Sequence, residues 1–272
     1  YTSRLSSAAS DVYKRQVYKD TKDLIGWEIM DDGVYEEVPF TDPFTGNQYT
    51  LLDPIEWPTV RKGNRPGSTI DPDADRYWQE YWGLTLTFQR RLTDFWSMHA
   101  SYTYSKSTGL IAAFLSQWQS NPLYSSRVGS DPNSYLNANG QLLQGDRPHA
   151  LRVQANFMLP WEMRLNTMIN LQSGRPYTRQ YQLPVSVRPS AIMEQGGGDL
   201  RHGFQYVWDL GFGKRVGLGS GVALQVDLQL FNALNSTPTN YFQSLVLAEG
   251  DEFVPNSWVR PRRLQLHVGI EF

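Results

Sequence analysis

The last nine residues of this 272-residue chain alternate between apolar and polar side chains without a break. A period of two places successive side chains on opposite faces of a β-strand. A strand of about nine to eleven residues can cross a bilayer when it is tilted. The segment ends on an aromatic residue instead of a polar tail, which favours a membrane-spanning strand over the last strand of a soluble sandwich. The apolar face consists of Leu264, Leu266, Val268, Ile270 and Phe272.

The same alternation occurs in earlier segments of the chain. They run for roughly nine to thirteen residues, whereas strands of globular proteins usually have five to six. Together with the final segment, they predict eight membrane-spanning strands. The alternating segments comprise residues 77–91, 95–106, 147–159, 162–173, 204–214 and 222–230, and residues 17–30, which read as the end of a strand, are counted as the first of the eight.

The connections between these segments alternate between short and long. Outer-membrane barrels have this asymmetry, with tight periplasmic turns and long extracellular loops. The final strand is therefore expected to end in the periplasm. The long connections follow Met30, Lys106, Ser173 and Phe231, and the short ones lie at 91–94, 160–161 and 216–221. Within the long connections, the sequence predicts a hairpin formed by 34–39 and 48–52 and a short helix over 111–118.

The two faces of the segments favour a membrane barrel over a soluble sandwich. The polar faces are rich in Gln, Asn, Thr and Ser, whereas a solvent-facing sheet normally carries Lys and Glu. Aromatic residues such as Trp82, Trp96 and Tyr104 stand near the ends of the apolar faces, where rings suit the interface between hydrocarbon and headgroups. The chain contains no run of about 18 apolar residues, the length that a membrane helix needs. We therefore expect an all-β fold, a transmembrane antiparallel β-barrel.

Charge and motif content narrow the remaining possibilities. The formal net charge is −2, so nucleic acid, which requires a basic surface, is not an expected partner. Residues 71–75 read D-P-D-A-D, like the start of a calcium loop. However, Arg76 stands where that loop needs glycine and Trp82 where it needs glutamate. No metal site and no cofactor are expected.

Residues 6–16 read S-S-A-A-S-D-V-Y-K-R-Q, which resembles the translation of a sequencing-library adapter over all eleven positions. We therefore expect residues 1–16 to be a non-native leader and residues 17–272 to be the C-terminal portion of a barrel domain. The native N-terminal part would then precede residue 17. A natural disordered leader is the alternative.

Six motifs resemble those of TonB-dependent outer-membrane receptors, in order and in spacing. The nearest resemblance is to the Oar-like subgroup, whose N-terminus carries a carboxypeptidase-regulatory-like domain. The motifs are V-Y-K-D-T-K-D-L-I-G at 17–26, G-D-R-P-H-A-L-R-V at 145–153, S-G-R-P-Y at 173–177, D-L-G-F-G-K-R-V at 209–216, L-Q-L-F-N-A-L-N at 228–235 and P-R-R-L-Q-L-H-V-G-I-E-F at 261–272.

This resemblance implies a 22-stranded barrel in the outer membrane of a Gram-negative bacterium, of which these are the last eight strands. It also implies a plug domain, absent from this chain, and an inner-membrane TonB-type complex that supplies energy for uptake of a specific extracellular substrate. The final strand resembles the signal read by the barrel-assembly machinery. Its apolar residues, Leu264 to Phe272 on alternate positions, would then serve assembly and face the outer-membrane lipid.

The long loops are expected to contact the substrate, whose identity the sequence does not reveal. The candidate contacts are Trp118, Tyr124, Tyr135, Tyr181 and Tyr241.

Other functions remain open from the residues alone. A passive porin, a small eight-stranded barrel that acts as an adhesin, or a soluble binding domain would share parts of the pattern. A surface hydrolase would use acidic and histidine residues at the outer rim, where His149 and Asp146 are the candidates. Since no Ser/His/Asp set is supported, we do not expect an enzyme.

Overall fold

The structure is a computed structural model, and it describes residues 5–7, 10–29, 34–56, 59–64, 76–93, 95–111, 133, 140–143, 145–177, 180–182, 190–192, 200–242, 246–247 and 252–272. Within these ranges the chain forms β-strands joined by turns. They are β1 (Leu5–Ser7), β2 (Ser10–Thr21), β3 (Gly26–Ile29), β4 (Val34–Thr41), β5 (Gln48–Glu56), β6 (Val60–Gly63), β7 (Trp78–Thr93), β8 (Trp96–Leu110), β9 (Gln141–Leu142), β10 (His149–Leu159), β11 (Met163–Gln172), β12 (Pro176–Tyr177), β13 (Gln180–Gln182), β14 (Ser190–Ile192), β15 (Leu200–Arg201), β16 (Gln205–Gly219), β17 (Val222–Phe231), β18 (Thr239–Phe242), β19 (Val246–Leu247), β20 (Pro255–Trp258) and β21 (Arg263–Glu271).

Eight long strands form one continuous antiparallel sheet, in the order β2-β7-β8-β10-β11-β16-β17-β21. The short strand β1 pairs with β2, and β9 pairs with β8. The long strands contain 9 to 16 residues, which suits tilted crossing of a bilayer. The eight long strands and the antiparallel arrangement expected from the sequence are confirmed, although the first strand has different bounds. No helix in the described ranges is long and apolar enough to cross a membrane.

The register of the sheet brings the apolar faces of the strands together. Leu151 lies opposite Leu171, and Leu171 lies opposite Tyr206 in the next strand. At the far end of the sheet, Leu228 lies opposite Leu266. These side chains remain accessible, and 62% of Leu266 is exposed. A broad, accessible apolar face on an antiparallel sheet is what a lipid-facing barrel wall presents.

The opposite face of the sheet is polar and carries hydrogen bonds between strands. The hydroxyls of Thr85 and Thr103 lie 3.0 Å apart. Arg164 forms an ion pair with Asp227, with Nη2 and Oδ1 3.3 Å apart. Hydrogen-bonding groups on this face fit a water-filled lumen that can also contact an enclosed partner.

The first long strand differs from its expected position at 17–30. It is β2, which starts at Ser10 and pairs with β7 as far as Thr21. Asp23 then adopts a left-handed backbone with φ of 56°, which ends the strand. Residues 26–29 form β3 and pair with β6 in a separate two-stranded sheet. Pairing across the sheet, which a local pattern does not reveal, therefore sets the limits of this strand.

Strand β2 also departs from the two-faced pattern. Its register places Lys14 opposite Leu86 and Gln16 opposite Leu84. Both Leu84 and Leu86 belong to the apolar face, so a charge and an amide lie at mid-strand on the side that would contact lipid. These two residues fall within the leader expected to be non-native.

Two local expectations have clear outcomes. The hairpin predicted within the first long connection is confirmed as β4 paired with β5. The short connection predicted at 216–221 is tighter, because β16 continues to Gly219 and the turn consists of Ser220 and Gly221. Both turn residues have positive φ, 55° and 83°, as the favoured two-residue hairpin turns require. The helix predicted over 111–118 lies outside the described residues except for Ile111.

Candidate functional site

The candidate site lies at the end of the sheet where the long connections emerge. There, β12 pairs with β15 and β18 pairs with β20 above the ends of β10, β11 and β16. Polar and aromatic side chains from three long connections converge at this end. We call them the rim site, which consists of Asp146, Arg147, Arg175, Tyr177, Arg201, His202, Gln205, Asn240, Tyr241, Phe242 and Phe253.

Asp146 links two long connections through an ion pair, and this ion pair neutralises its charge. It is 2% exposed, and its Oδ1 accepts a 2.6 Å hydrogen bond from the backbone N–H of Ser107. Its Oδ2 accepts from the guanidinium of Arg201 in an ion pair. Arg201 also donates to the carbonyl oxygens of Asp146 and Gly174, at 3.2 and 3.3 Å. Because both charges are engaged, this pair has a structural role.

Arg147, by contrast, is held by neutral groups. Its Nη1 donates to the carbonyl oxygen of Ser173 at 2.6 Å and to Oε1 of Gln205 at 3.3 Å. The same Oε1 accepts from Nε2 of Gln172 at 2.8 Å, and Gln205 donates to Oδ1 of Asn240. Burial, followed by the nearby positive charge of Arg175, lowers the pKa of Arg147 to about 10. The side chain therefore stays charged at neutral pH.

Arg175 contacts the aromatic side chain of Tyr241 in two ways. Its Nη1 donates a 2.5 Å hydrogen bond to the phenolic oxygen. Its guanidinium carbon also lies 5.5 Å from the centre of the ring, within the range of a cation–π contact. Tyr241 therefore fixes the position of a second rim arginine.

An aromatic cluster supports these polar groups. The ring of His202 stacks on Phe242 at 4.8 Å and lies 4.9 Å from Tyr177. Phe253 closes the cluster at 4.9 Å from Phe242. His202 is 3% exposed, and burial together with Arg175 and Arg147 lowers its pKa to about 4. The imidazole is therefore neutral at pH 7.

A close approach between the two ends of one long connection, residues 173–204, requires glycine beside this cluster. A Cβ built on Gly174 would overlap the carbonyl oxygen of His202. The backbone N–H of His202 donates to the carbonyl oxygen of Arg175 at 3.0 Å, which holds the two segments together. Gly174 thus allows the contact that places Arg175 and His202 side by side.

A cavity of about 370 Å³ adjoins the Asp146–Arg201 pair. Its walls include Tyr104, Lys106 and Leu142, together with the ion pair itself. In the described ranges, no group of three or more His, Cys, Asp or Glu residues could hold a metal ion. Residues 71–75 lie outside those ranges.

Comparison with known proteins relates the fold to outer-membrane transporters. No protein-family model and no curated sequence matches the chain. Among solved structures, the chain is similar to the outer membrane transporter YddB from Escherichia coli, with a TM-score of 0.54 and 11% identity. That match covers 98% of this chain and 31% of the transporter. The fold is that of part of an outer-membrane β-barrel.

A second solved structure gives a weaker superposition. It is the ferric-catecholate import receptor Fiu from K12 E. coli, in its closed form, with a TM-score of 0.45 and 10% identity. The match covers 97% of this chain and 33% of the receptor. The chain therefore spans about a third of the length of either structure. The Oar-like subgroup and the division at residues 16 and 17 stay predictions.

Of the substrate contacts predicted from the sequence, the structure brings Tyr241 into the rim site. The backbone of Tyr181 lies in β13, which pairs with β14 and with β19. Trp118, Tyr124 and Tyr135 lie outside the described residues. Four of the predicted residues of the final strand, Leu264, Leu266, Val268 and Ile270, lie on the apolar face of β21, and Phe272 follows its last residue. All five are exposed, Leu264 at 65% and Ile270 at 57%.

The two residues considered for a surface hydrolase have separate neighbours. His149 shares a 2.8 Å hydrogen bond with the hydroxyl of Tyr102, and its ring lies 5.3 Å from that of Tyr104. Asp146 is enclosed by Ser107 and Arg201 on the polar side. The hydrogen bonds of His149 and Asp146 described above therefore do not join them as an acid–base pair.

The arginines of the rim site were not predicted from the sequence. Arg147 and Arg175 each precede a proline, in D-R-P-H and G-R-P-Y, at the loop ends of two neighbouring strands. A repeated Arg-Pro pair at equivalent strand ends was the signal that could have indicated them. Proline restricts the preceding residue to extended backbone, so each arginine is held at the edge of the sheet.

Proposed function

We propose that this chain is part of an outer-membrane receptor that transports a specific substrate from outside the cell. The observation that carries the proposal is the similarity to an outer-membrane transporter over 98% of the chain. The polar face of the sheet and the convergence of three connections at the rim support it. The substrate would meet the rim site first and then pass along the polar face.

We further propose that uptake requires a TonB-type energy transducer and a plug domain of the same protein. This part rests on the six motifs, whose order and spacing resemble TonB-dependent receptors. Ion pairs such as Arg164–Asp227 on the polar face offer polar contacts to a plug inside the lumen. The apolar face would contact outer-membrane lipid, and the residues Leu264, Leu266, Val268, Ile270 and Phe272 would be read by the barrel-assembly machinery.

The test compares nutrient uptake by cells that contain the whole protein with uptake by cells that lack it. Depletion of compounds from a defined medium is followed by mass spectrometry, with and without the TonB-type transducer. Energised transport predicts a compound whose depletion requires both the protein and the transducer. Depletion that requires the protein but not the transducer would instead identify a passive porin. Release of the protein from membranes by alkaline washing would contradict an integral barrel.

A further inference from the structure

The rim site contains more positive than negative charge. Arg147, Arg152 and Arg175 lie close enough to one another that the latter two lower the pKa of Arg147. Arg152 lies on the polar face of β10, opposite Ser101 and Asn170, and is exposed. The contacts described for Arg147 and Arg175 are all with neutral groups: a backbone carbonyl, an amide and a phenol. Their charges are therefore compensated by dipoles and not by a carboxylate.

Three acidic residues at the rim or on the polar face, Asp146, Asp209 and Asp227, are already engaged. Asp146 is bound to Arg201 and to the backbone N–H of Ser107. Asp209 accepts a 2.7 Å hydrogen bond from the backbone N–H of Asn232. Asp227 pairs with Arg164. None of these contacts supplies a counter-ion to Arg147 or Arg175.

The surrounding groups hold the two arginines in place rather than neutralise them. Gln205 accepts from both Arg147 and Gln172, and Tyr241 accepts from Arg175. His202, buried beside them, is neutral at pH 7 and adds no charge. Partly buried cations without a counter-ion have lost part of their hydration. Charge-assisted hydrogen bonds to a bound anion would offset the free energy of that loss. A guanidinium also offers a planar pair of donors that matches a carboxylate or a phosphate.

We propose that Arg147 and Arg175 bind an anionic group of the transported substrate, a carboxylate or a phosphate, with Arg152 adding positive charge on the lumen side. The inference rests on the proposed receptor function, because it names the substrate class of the same rim site. Tyr241 and Gln205 are positioning residues that orient the two guanidinium groups. The anion would enter from the loop end, where Arg152 is exposed.

The experiment measures anion binding to the whole protein purified from outer membranes. Isothermal titration calorimetry is performed with inorganic pyrophosphate and, separately, with succinate, at low and high salt. Binding of at least one anion is expected, and it should weaken as salt rises because ions screen the attraction. In the double variant R147Q/R175Q, the affinity should fall by about tenfold or more, since two charge-assisted donors are lost.

A matched control removes two other arginines. The variant R61Q/R76Q loses the same total charge, but Arg61 pairs with Glu28 and Arg76 with Asp23, outside the rim. Its affinity for the anion should stay within about twofold of the original, because neither arginine belongs to the rim site and each already has a carboxylate partner. Native folding of each variant is checked by its heat-dependent mobility on gels. If R147Q/R175Q does not fold, the single variant R175Q replaces it.

Two results would overturn the anion site: no binding of either anion by the original protein, or equal affinity in R147Q/R175Q. The uptake assay separates this failure from failure of the receptor function. Anion binding that depends on Arg147 and Arg175, in a protein that takes up nothing, would leave the site standing and refute transport. Energised uptake of a neutral compound, without anion binding, would refute the site and leave transport standing.

Discussion

The phenolic oxygen of Tyr241 lies 2.5 Å from Nη1 of Arg175, although the two residues are 66 positions apart in the chain. Arg175 lies in the connection after β11, and Tyr241 lies in β18. Tyr241 was expected to contact substrate through a long loop. That expectation stays a prediction. The observed contact of Tyr241 fixes an arginine, so the tyrosine would also influence binding through the position of that charge.

Replacement of Tyr241 by phenylalanine tests this relationship. The variant keeps the ring beside Arg175 but removes the acceptor oxygen, so the guanidinium gains freedom and binds an anion less well. A net hydrogen bond to a charged group contributes about 1.5–3 kcal/mol, so a loss of roughly tenfold in affinity is expected. Calorimetry with pyrophosphate measures it. Tyr206→Phe, on the apolar face, is the matched control and should leave the affinity unchanged.

Replacement of Asp146 by asparagine should strongly destabilise the rim. The change leaves Arg201 without its carboxylate and weakens the hydrogen bond from Ser107. Removal of one partner from a buried ion pair costs about 3 kcal/mol or more. Denaturant unfolding in detergent, followed by tryptophan fluorescence, gives the free energy of unfolding. The control Asp23→Asn breaks an exposed pair with Arg76 and should cost less than about 1 kcal/mol. Equal losses in the two variants would argue against a structural role specific to Asp146.

Replacement of Gly174 by alanine should separate the two ends of the connection between β11 and β16. The added methyl group would overlap the carbonyl oxygen of His202, so the backbone there must move. A rise in protease cleavage near residues 174–202 and a lower unfolding midpoint are expected. Gly145→Ala is the control, because a Cβ at Gly145 has no heavy atom within 4 Å and should be tolerated.

The buried His202 makes the stability of the rim depend on pH. Its pKa is lowered from 6.5 to about 4, chiefly by burial, so the unfolded state binds more protons between these values. Stability is therefore highest above about pH 6.5 and falls as the pH drops toward 4. Unfolding midpoints measured from pH 4 to 7.5 should show this slope. In His202→Phe, which keeps an aromatic ring beside Phe242, the slope should decrease; an unchanged slope would assign it to another group.

Replacement of Lys14 by leucine tests whether β2 contacts lipid. Lys14 lies opposite Leu86 on the apolar face, and a lysine near the bilayer midplane costs about 2–4 kcal/mol. The variant should therefore unfold at higher denaturant when the chain is in lipid vesicles. Arg15→Leu is the control, because Arg15 lies opposite Thr85 on the polar face and gains nothing from the change. Similar stability of Lys14→Leu and the original chain would show that residues 10–16 do not occupy a lipid-facing position.

The strands and their faces were predictable because the signal is local. Alternate side chains of a strand point to opposite sides whatever the strand pairs with. Thus Leu264 and Leu266 indicated the apolar face of β21 before any partner was known. The hairpin of β4 and β5 was predictable for the same reason. The limits of β2 were not, because they depend on pairing with β7.

The sequence by itself determined the all-β class, the eight long strands and the separation of an apolar from a polar face, since each follows from a period of two within one segment. Tertiary structure alone decided the rim site. Arg147, Arg175 and Tyr241 come from three separate connections and Gln205 from the start of β16, and antiparallel register brings these strand ends together. Whether a charged side chain has an oppositely charged partner depends on neighbours that lie tens of residues away in the sequence. Only the folded chain therefore shows that Asp146 neutralises Arg201 and leaves Arg147 and Arg175 to neutral groups.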